Sequence, residues 1–187
     1  MRTWLEKAKT FVQEKFEHVN VKKDPLTHAL EVYRILKDEF QIADTEILTA
    51  GILHDVLEDT HATKQEVSEN FSQRTAELVQ AVSHEKGHEY DREAFYERLQ
   101  SIPFEAKCIK LADVWANLEW MLERINAGQP VFHSHEPYLR HARLFLGSCM
   151  YPSLMHAENH IIELCHKIDR LDRTYLRAED SLSVGDI

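Results

Sequence analysis

The run ILTAGILHDVLEDT, residues 47–60, places four ionisable side chains within an otherwise aliphatic or small-residue segment. These four are His54, Asp55, Glu58 and Asp59. A helix that is apolar almost all round belongs at the centre of a bundle, yet ionisable groups are very costly to bury without partners. The run therefore predicts a central helix, from Glu46 to about Asp59, with a cation site beside its carboxylates.

Two other apolar helical segments supply groups of the same kind. His28 lies in PLTHALEVYRIL, and Asp113 lies in CIKLADVWANL with Asn117 one helical turn after it. Together with His54 and Asp55 they would give two imidazoles and two carboxylates from three helices. Such a set of nitrogen and oxygen donors suits an octahedral Mn²⁺, Fe²⁺ or Mg²⁺ ion better than a thiolate zinc site.

Each of these groups has a more ordinary explanation when it is taken alone. His28 could be a hydrogen-bonded core histidine, Asp113 could cap or pair helices, and HDVLEDT could form a solvated acidic face. The aliphatic residues at positions 52, 53, 56 and 57 leave such a face little exposed helix surface. The combination therefore favours a metal site.

The chain as a whole indicates one all-α domain over residues 1–187. Apolar residues recur at three- and four-residue spacing almost from end to end, and the sequence contains only 5 Gly and 5 Pro. No alternation of Val, Ile and Thr is long enough for a strand, and the glycine motifs of dinucleotide and P-loop sites are absent. We expect a bundle of about eight or nine helices, with C-terminal helices over 136–176 and a frayed tail over 177–187.

Composition limits the partners and the compartment. The chain has 22 Lys plus Arg against 32 Asp plus Glu, a formal net charge of −10, which repels nucleic acids. Three cysteines without a CxxC pair fit a reducing compartment, and the charged opening residues do not form a signal peptide. We expect a cytoplasmic protein that binds a small molecule, with no nucleic-acid or membrane partner; homodimerisation is left open.

The order His28, His54-Asp55, Asp113 resembles the HD superfamily of metal-dependent phosphohydrolases. More narrowly, AGILHDVLEDT, the following HATKQEVSENFSQRTAELVQAVS, and EAKCIKLADVWANL are similar to the hydrolase domain of RelA/SpoT-type enzymes, including their small single-domain forms. The similarity covers a core of about residues 20–125.

This resemblance implies a reaction and a role for each matching residue. The positions that match the family's metal ligands, usually for Mn²⁺ although another divalent metal would fit, are His28, His54, Asp55 and Asp113. Glu58 and Asp59 match the pair that acts on the nucleophilic water, and Asn117 matches a residue beside the nucleotide. The family removes pyrophosphate from the 3′ position of guanosine tetraphosphate and pentaphosphate, so the resemblance implies hydrolysis of ppGpp and pppGpp, the stringent-response alarmones, to GDP and GTP.

Some positions depart from the family's pattern. Ala29 follows the first histidine where Pro is usual, and Val114 follows the last aspartate where Arg is usual. The basic pair before the first ligand is represented by Lys22 and Lys23 at a shifted spacing. Together with Lys110, these two lysines are our candidates for neutralising the substrate phosphates.

Two alternatives stay open from the sequence. The same metal apparatus could serve a phosphatase of another nucleotide or of the 2′-phosphate of NADPH. A regulatory module that binds metal and nucleotide without turnover belongs to a different class, and the intact Glu58-Asp59 pair argues against it. Six other histidines are expected to lie on the surface or behind the ligands, namely His84, His88, His133, His135, His156 and His160.

Overall fold

The computed structural model describes residues 3–21, 23–84, 92–129, 135–147 and 151–183. Within these ranges the regular structure is helical and contains no strand, so the expected all-α fold is confirmed. No helix in these ranges is both long enough and apolar enough to cross a bilayer. Three residues named above, Lys22, His88 and His133, lie outside the described ranges.

The described residues form ten α-helices with two short irregular helical turns. The helices are α1 (Trp4–Phe16), α2 (Pro25–Arg34), α3 (Thr45–Leu53), α4 (Val56–Asp59), α5 (Lys64–Asn70), α6 (Gln73–Val82), α7 (Arg92–Leu99), α8 (Phe104–Asn126), α9 (His135–Gly147) and α10 (Met155–Ser183). A π-helical turn, Ile35–Glu39, continues α2, and a 3₁₀ turn, Pro152–Leu154, precedes α10. If α3 and α4 are counted as one interrupted helix, the described residues contain nine helices, in agreement with the expected eight or nine. The last helix continues beyond the expected end at residue 176.

Several helices begin where a side chain can cap them. The Asp24 carboxylate accepts a hydrogen bond from the Thr27 backbone N–H at 2.7 Å at the start of α2. Asp44 does the same for the first turn of α3, and Thr63 forms a reciprocal capping box with Glu66 at the start of α5. These caps fix the register of α2 and α3, and with it the positions of the histidines that they carry.

The central position of α3 follows from its sequence. Every residue from Ile47 to Leu53 is buried, and α3 packs against α1, α2, α6 and α8. Helices α2 and α8 also pack against each other. The helices that carry His28 and Asp113 therefore meet in the core with α3, whose end leads into His54 and Asp55.

Gly51 lets α3 approach the end of α2 closely. A Cβ atom at this position would lie 2.3 Å from Cδ1 of Leu36, which is itself fully buried. Any larger residue must displace Leu36 within a packed core. Gly51 is thus a packing requirement between two helices that carry site residues.

We expect Gly51→Ala to lower the free energy of unfolding by about 1–3 kcal/mol, the usual cost of overpacking a core. Gly147→Ala is the matched control, because a Cβ there would meet nothing within 4 Å. Urea unfolding of the two variants and the parent protein measures the difference. Equal stability of Gly51→Ala and the parent would contradict the close helix approach.

Candidate metal centre

The central helix is interrupted at the two residues where its candidate ligands lie. Helix α3 ends at Leu53, His54 and Asp55 form a turn, and α4 starts at Val56. Asp55 has φ −90° and ψ −10°, and its carbonyl oxygen accepts from the backbone N–H groups of Glu58 and Asp59 at 3.1 and 2.9 Å. Our expectation of one continuous helix to Asp59 was therefore wrong at this point, because the backbone turns and then begins a new helical turn.

The structure brings the four candidate ligands together. Nε2 of His28 lies 3.2 Å from Nε2 of His54, and Nε2 of His54 lies 3.0 Å from Oδ1 of Asp55. Oδ1 of Asp113 lies 3.1 Å from Nε2 of His28 and 3.5 Å from Nε2 of His54. The two histidines and Asp113 are buried, so these donor atoms face one another inside the protein.

Neighbouring groups orient the donors. Nδ1 of His54 lies 2.8 Å from the Gly51 carbonyl oxygen, which fixes the ring so that Nε2 faces the other ligands. Oδ2 of Asp113 accepts from Nζ of Lys110 at 2.8 Å, and its Oδ1 accepts from Nδ2 of Asn117 at 2.6 Å. The ligands are therefore held in place by the protein itself.

The donor geometry fits a divalent cation. Neighbouring donors around an octahedral ion with bonds of about 2.1 Å stand about 3 Å apart, and the separations given above cluster around that value. Donor atoms of His28, His54 and Asp55 all lie within 4.8 Å of one another. Two imidazole nitrogens and two carboxylates can hold such an ion and leave positions for water and a substrate oxygen.

Charge interactions set the protonation of the ligands. Burial by itself would lower the pKa of His54, but the negative charges of Asp55 and Asp113 raise it to about 10. Burial chiefly lowers the pKa of His28. Although burial opposes it, Lys110 and the two histidines hold the pKa of Asp113 well below its usual range. His54 therefore carries a proton that a metal ion must displace.

Glu58 and Asp59 lie on α4, which follows the turn at residues 54–55. Oε1 of Glu58 lies 2.8 Å from Nδ1 of His84, and Oε2 accepts from the His84 backbone N–H at 3.3 Å. Asp59 is exposed, but nearby protein atoms remove part of the hydration of its carboxylate. This partial burial, together with the negative charges of Asp55 and Glu58, raises the pKa of Asp59 to about 6. A carboxyl group with such a pKa can take up and release a proton near neutral pH.

The lysines predicted to contact phosphate occupy different environments. Lys23 contacts the side-chain carbonyl oxygen of Asn117 through Nζ, and burial lowers the pKa of Lys23. Lys110 is largely buried and pairs with Asp113, so its charge is directed at a candidate metal ligand. Both lysines stay predictions as substrate contacts, as does Asn117.

Two residues near the site carry no sequence signal that would have marked them. The Tyr138 hydroxyl is placed beside Asn117, and burial together with the Asp113 charge raises its pKa well above the usual value. His84 contacts Glu58 as described. Tyr138 lies on α9, and His84 directly follows the segment 61–83. Neither residue belongs to a quoted motif, and only the fold joins them to the site.

The more distant histidines serve other contacts. Nε2 of His156 lies 3.0 Å from the Glu39 carbonyl oxygen. Nε2 of His160 lies 3.4 Å from a carboxylate oxygen of Glu119, and its ring packs on Trp115 with centroids 4.2 Å apart. His156 is exposed and His160 is half-buried, in keeping with our expectation that these histidines lie on the surface or behind the ligands.

A cavity of about 480 Å³ adjoins the candidate ligands between α2 and α8. His28, one of the candidate ligands, lines this cavity, and so do Lys23 and Trp120. The lining also includes three glutamates, Glu31, Glu119 and Glu123. A molecule bound at the ligands could therefore extend into a space that has an aromatic wall and acceptor groups.

A family model described as HD domain matches residues 7–136, which is more than half of the chain. The chain belongs to the HD domain family. Its match includes all four candidate ligands and the Glu58-Asp59 pair.

Curated relatives and a solved structure extend this result. The chain is 37% identical over 104 residues to guanosine-3′,5′-bis(diphosphate) 3′-pyrophosphohydrolase MESH1 of Danio rerio, covering 51% of this chain and 57% of that protein. The Homo sapiens protein of the same name is 37% identical over 105 residues, covering 52% and 58%. The chain thus spans less than two thirds of the length of these relatives.

The fold is also found in a solved structure described as a metazoan ortholog of SpoT that hydrolyzes ppGpp. The match has a TM-score of 0.75 and 22% sequence identity, and it covers 89% of this chain and 96% of that one. This similarity supports the helical HD-domain architecture of the present chain.

We expect metal binding by this HD domain at pH 7–8 to release about one proton, since His54, with its pKa raised to about 10, must become neutral to bind. The apparent metal affinity should rise about tenfold per pH unit over this range. Calorimetric titration with Mn²⁺ in two buffers of different ionisation enthalpy measures the release. A pH-independent affinity without proton release would refute the charge state derived for His54.

Proposed function

We propose that this HD-domain protein hydrolyses the 3′-pyrophosphate of guanosine 3′,5′-bis(diphosphate), with GDP and pyrophosphate as products, and converts the pentaphosphate to GTP in the same way. The observation that carries the proposal is the placement of the Glu58-Asp59 pair one helical turn after a cluster of four candidate metal ligands. A site that only bound metal would not need this additional acid pair. The similarity to proteins named as 3′-pyrophosphohydrolases supports the choice of substrate.

The proposed metal is Mn²⁺, held by the four side chains His28, His54, Asp55 and Asp113. A divalent cation bound there would lower the pKa of a coordinated water and polarise a phosphoryl oxygen. The carboxylate of Asp59 would accept the proton of the attacking water, and Glu58 would orient that water. Asp59 is exposed to solvent and follows Asp55 by one helical turn, which supports this role.

The substrate is strongly anionic, whereas the chain has a formal net charge of −10. Binding therefore requires local positive charge. Lys23 fits this role because it lines the same cavity as His28. Lys110 already balances Asp113 at 2.8 Å, so it would act mainly by reducing the negative charge around the ligands.

The cavity between α2 and α8 suits the base of the nucleotide. Trp120 lines the cavity, and the Arg124 guanidinium lies over its ring, 5.0 Å from the centroid. A base that stacked on Trp120 would gain about 1–3 kcal/mol. Glu31 and Glu119 contact Arg34, whereas within the described residues no ion pair involves Glu123. A carboxylate only accepts hydrogen bonds, so it favours the N1–H and amino group of guanine over the acceptor N1 of adenine.

We also propose that the protein acts in the cytoplasm. Cys108 and Cys165 are buried free thiols, which is consistent with a reducing compartment. Homodimerisation stays a prediction that sedimentation analysis of the purified protein would check.

The proposed function is tested by identifying the products from purified, Mn²⁺-loaded protein. We expect pyrophosphate and GDP from guanosine 3′,5′-bis(diphosphate), and little orthophosphate from NADPH offered as a competing substrate. Release of orthophosphate alone, without action on the tetraphosphate, would instead identify a phosphatase. Stoichiometric metal without any turnover would identify a regulatory module.

Replacing the acid pair should separate metal binding from chemistry. We expect Glu58→Gln plus Asp59→Asn to lower kcat by at least about a hundredfold, because proton transfer by positioned side chains contributes about 10²–10⁴. Metal content should stay at the parent level, since neither residue belongs to the four proposed ligands. Metal analysis and steady-state kinetics on the same preparation check both expectations, and undiminished kcat would exclude the pair from the reaction.

Removing the proposed stacking surface should affect binding more than chemistry. We expect Trp120→Ala to raise KM for the tetraphosphate about tenfold, in line with the loss of one base stack, and to change kcat much less. Trp120→Phe keeps an aromatic face and is the matched control. An unchanged KM in Trp120→Ala would place the base outside this cavity.

A further inference from the structure

His84 joins the end of α6 to the acid pair on α4. Its ring nitrogen Nδ1 lies 2.8 Å from Oε1 of Glu58, and its backbone N–H donates to Oε2 of the same carboxylate at 3.3 Å. Both oxygens of Glu58 therefore face one residue that is 26 positions away in sequence. The Glu58 and His84 side chains are each only about one quarter exposed, at 25% and 26%.

A second helix holds His84 in its position. Arg98 of α7 donates to the carbonyl oxygens of Ala81 and Ser83 at 2.8 and 2.7 Å. Arg98 thus satisfies carbonyl groups at the C-terminal end of α6 that the helix itself leaves without partners. The buried ring of Phe95, also from α7, meets the His84 ring edge-on with centroids 6.1 Å apart.

The same segment is tied directly to the candidate metal ligands. The Ser83 hydroxyl lies 3.4 Å from the His54 carbonyl oxygen and donates to the Val79 carbonyl oxygen at 2.8 Å. Ser83 is almost fully buried, at 2% exposure. These contacts hold the end of α6 next to the turn at residues 54–55. His84 follows Ser83 directly, so its position relative to that turn is also fixed.

The charged groups around Glu58 do not by themselves fix its side chain. Asp59 repels Glu58, whereas Lys110 attracts it, and both interactions weaken only gradually with distance. A glutamate side chain also has considerable rotamer freedom. Without a specific contact, Glu58 would therefore occupy several rotamers.

We propose that His84 is a positioning residue, which holds the Glu58 carboxylate towards the attacking water through its ring and backbone nitrogens, with Arg98 fixing the segment that carries it. This inference rests on the proposed function, since it assigns Glu58 an orienting role in that reaction. It also assigns a function to a histidine that none of the sequence motifs includes. His84 acts only through Glu58 and does not itself need to touch the substrate.

The turnover experiment compares two substitutions of His84 in the Mn²⁺-loaded full chain. His84→Leu keeps the bulk and removes the nitrogen, and we expect kcat for the tetraphosphate to fall about tenfold with KM and metal content unchanged. His84→Asn places an amide nitrogen near the position of Nδ1 and should recover most of the loss. His166→Leu, at an exposed histidine of α10, is the matched control and should behave like the parent.

A double substitution decides whether His84 acts through Glu58. In a Glu58→Gln background, His84→Leu should lower kcat by less than about twofold, because the group that it positions has already been replaced. The same tenfold loss in both backgrounds would overturn the proposal. A comparable loss of activity in His84→Asn and His84→Leu would overturn it as well.

A second measurement tests the contact without any turnover. In metal-free protein with ¹⁵N-labelled histidines, Glu58→Gln should shift the Nδ1 resonance of His84 and leave that of His166 in place. An unshifted His84 resonance would overturn the proposal. If the unsubstituted protein released no pyrophosphate, the proposed function would fail, while the resonance would still decide whether His84 and Glu58 are partners.

Discussion

The close approach of two imidazoles and two carboxylates inside a helical bundle is the constraint on which the rest of this structure depends. His28, His54 and Asp113 are exposed by only 7%, 3% and 4%, so their charges lose most of their hydration and must be balanced locally. Lys110 balances Asp113, and a proton on His54 balances the two aspartates. A divalent cation can replace that proton, which explains how an acidic core of this kind stays stable and can bind metal.

The interrupted helix is what lets neighbouring residues bind at the same point. In a regular helix, successive side chains point about 100° apart, so His54 and Asp55 would face different directions. The turn between α3 and α4 brings Nε2 of His54 and Oδ1 of Asp55 to 3.0 Å. Gly51 contributes twice, because its carbonyl oxygen orients His54 and its missing side chain admits Leu36. Helix packing and ligand geometry are thus coupled at one short segment.

The sequence predicted the parts of the fold and site that depend on local patterns. The capping residues Asp24 and Asp44 and the helical class are visible as spacing along the chain. The meeting of His28, the His54-Asp55 pair and Asp113 was also foreseen, because an apolar helix with buried charges needs partners from other helices. Capping residues and charged groups within apolar helices show which partners a segment needs, even before the fold is known.

Other features of the site depend on how the helices pack against one another, and the spacing of residues along the chain does not reveal that packing. The break at residues 54–55 falls within an apolar run that contains no proline, so the sequence does not signal it. Lys110 could equally have faced solvent, and its pairing with Asp113 follows from the burial of α8. The contact between His84 and Glu58 joins segments whose relative position is set by α7 and Arg98.

The central proposal is that a divalent cation held by the four candidate ligands, together with Glu58 and Asp59, would direct a water molecule onto the phosphorus that is bonded to the 3′ oxygen. The most direct measurement is turnover of guanosine 3′,5′-bis(diphosphate) in ¹⁸O-labelled water, followed by mass analysis of both products. We predict one labelled oxygen in the pyrophosphate and none in the GDP. Label in the GDP, or labelled orthophosphate in place of pyrophosphate, would contradict this mechanism.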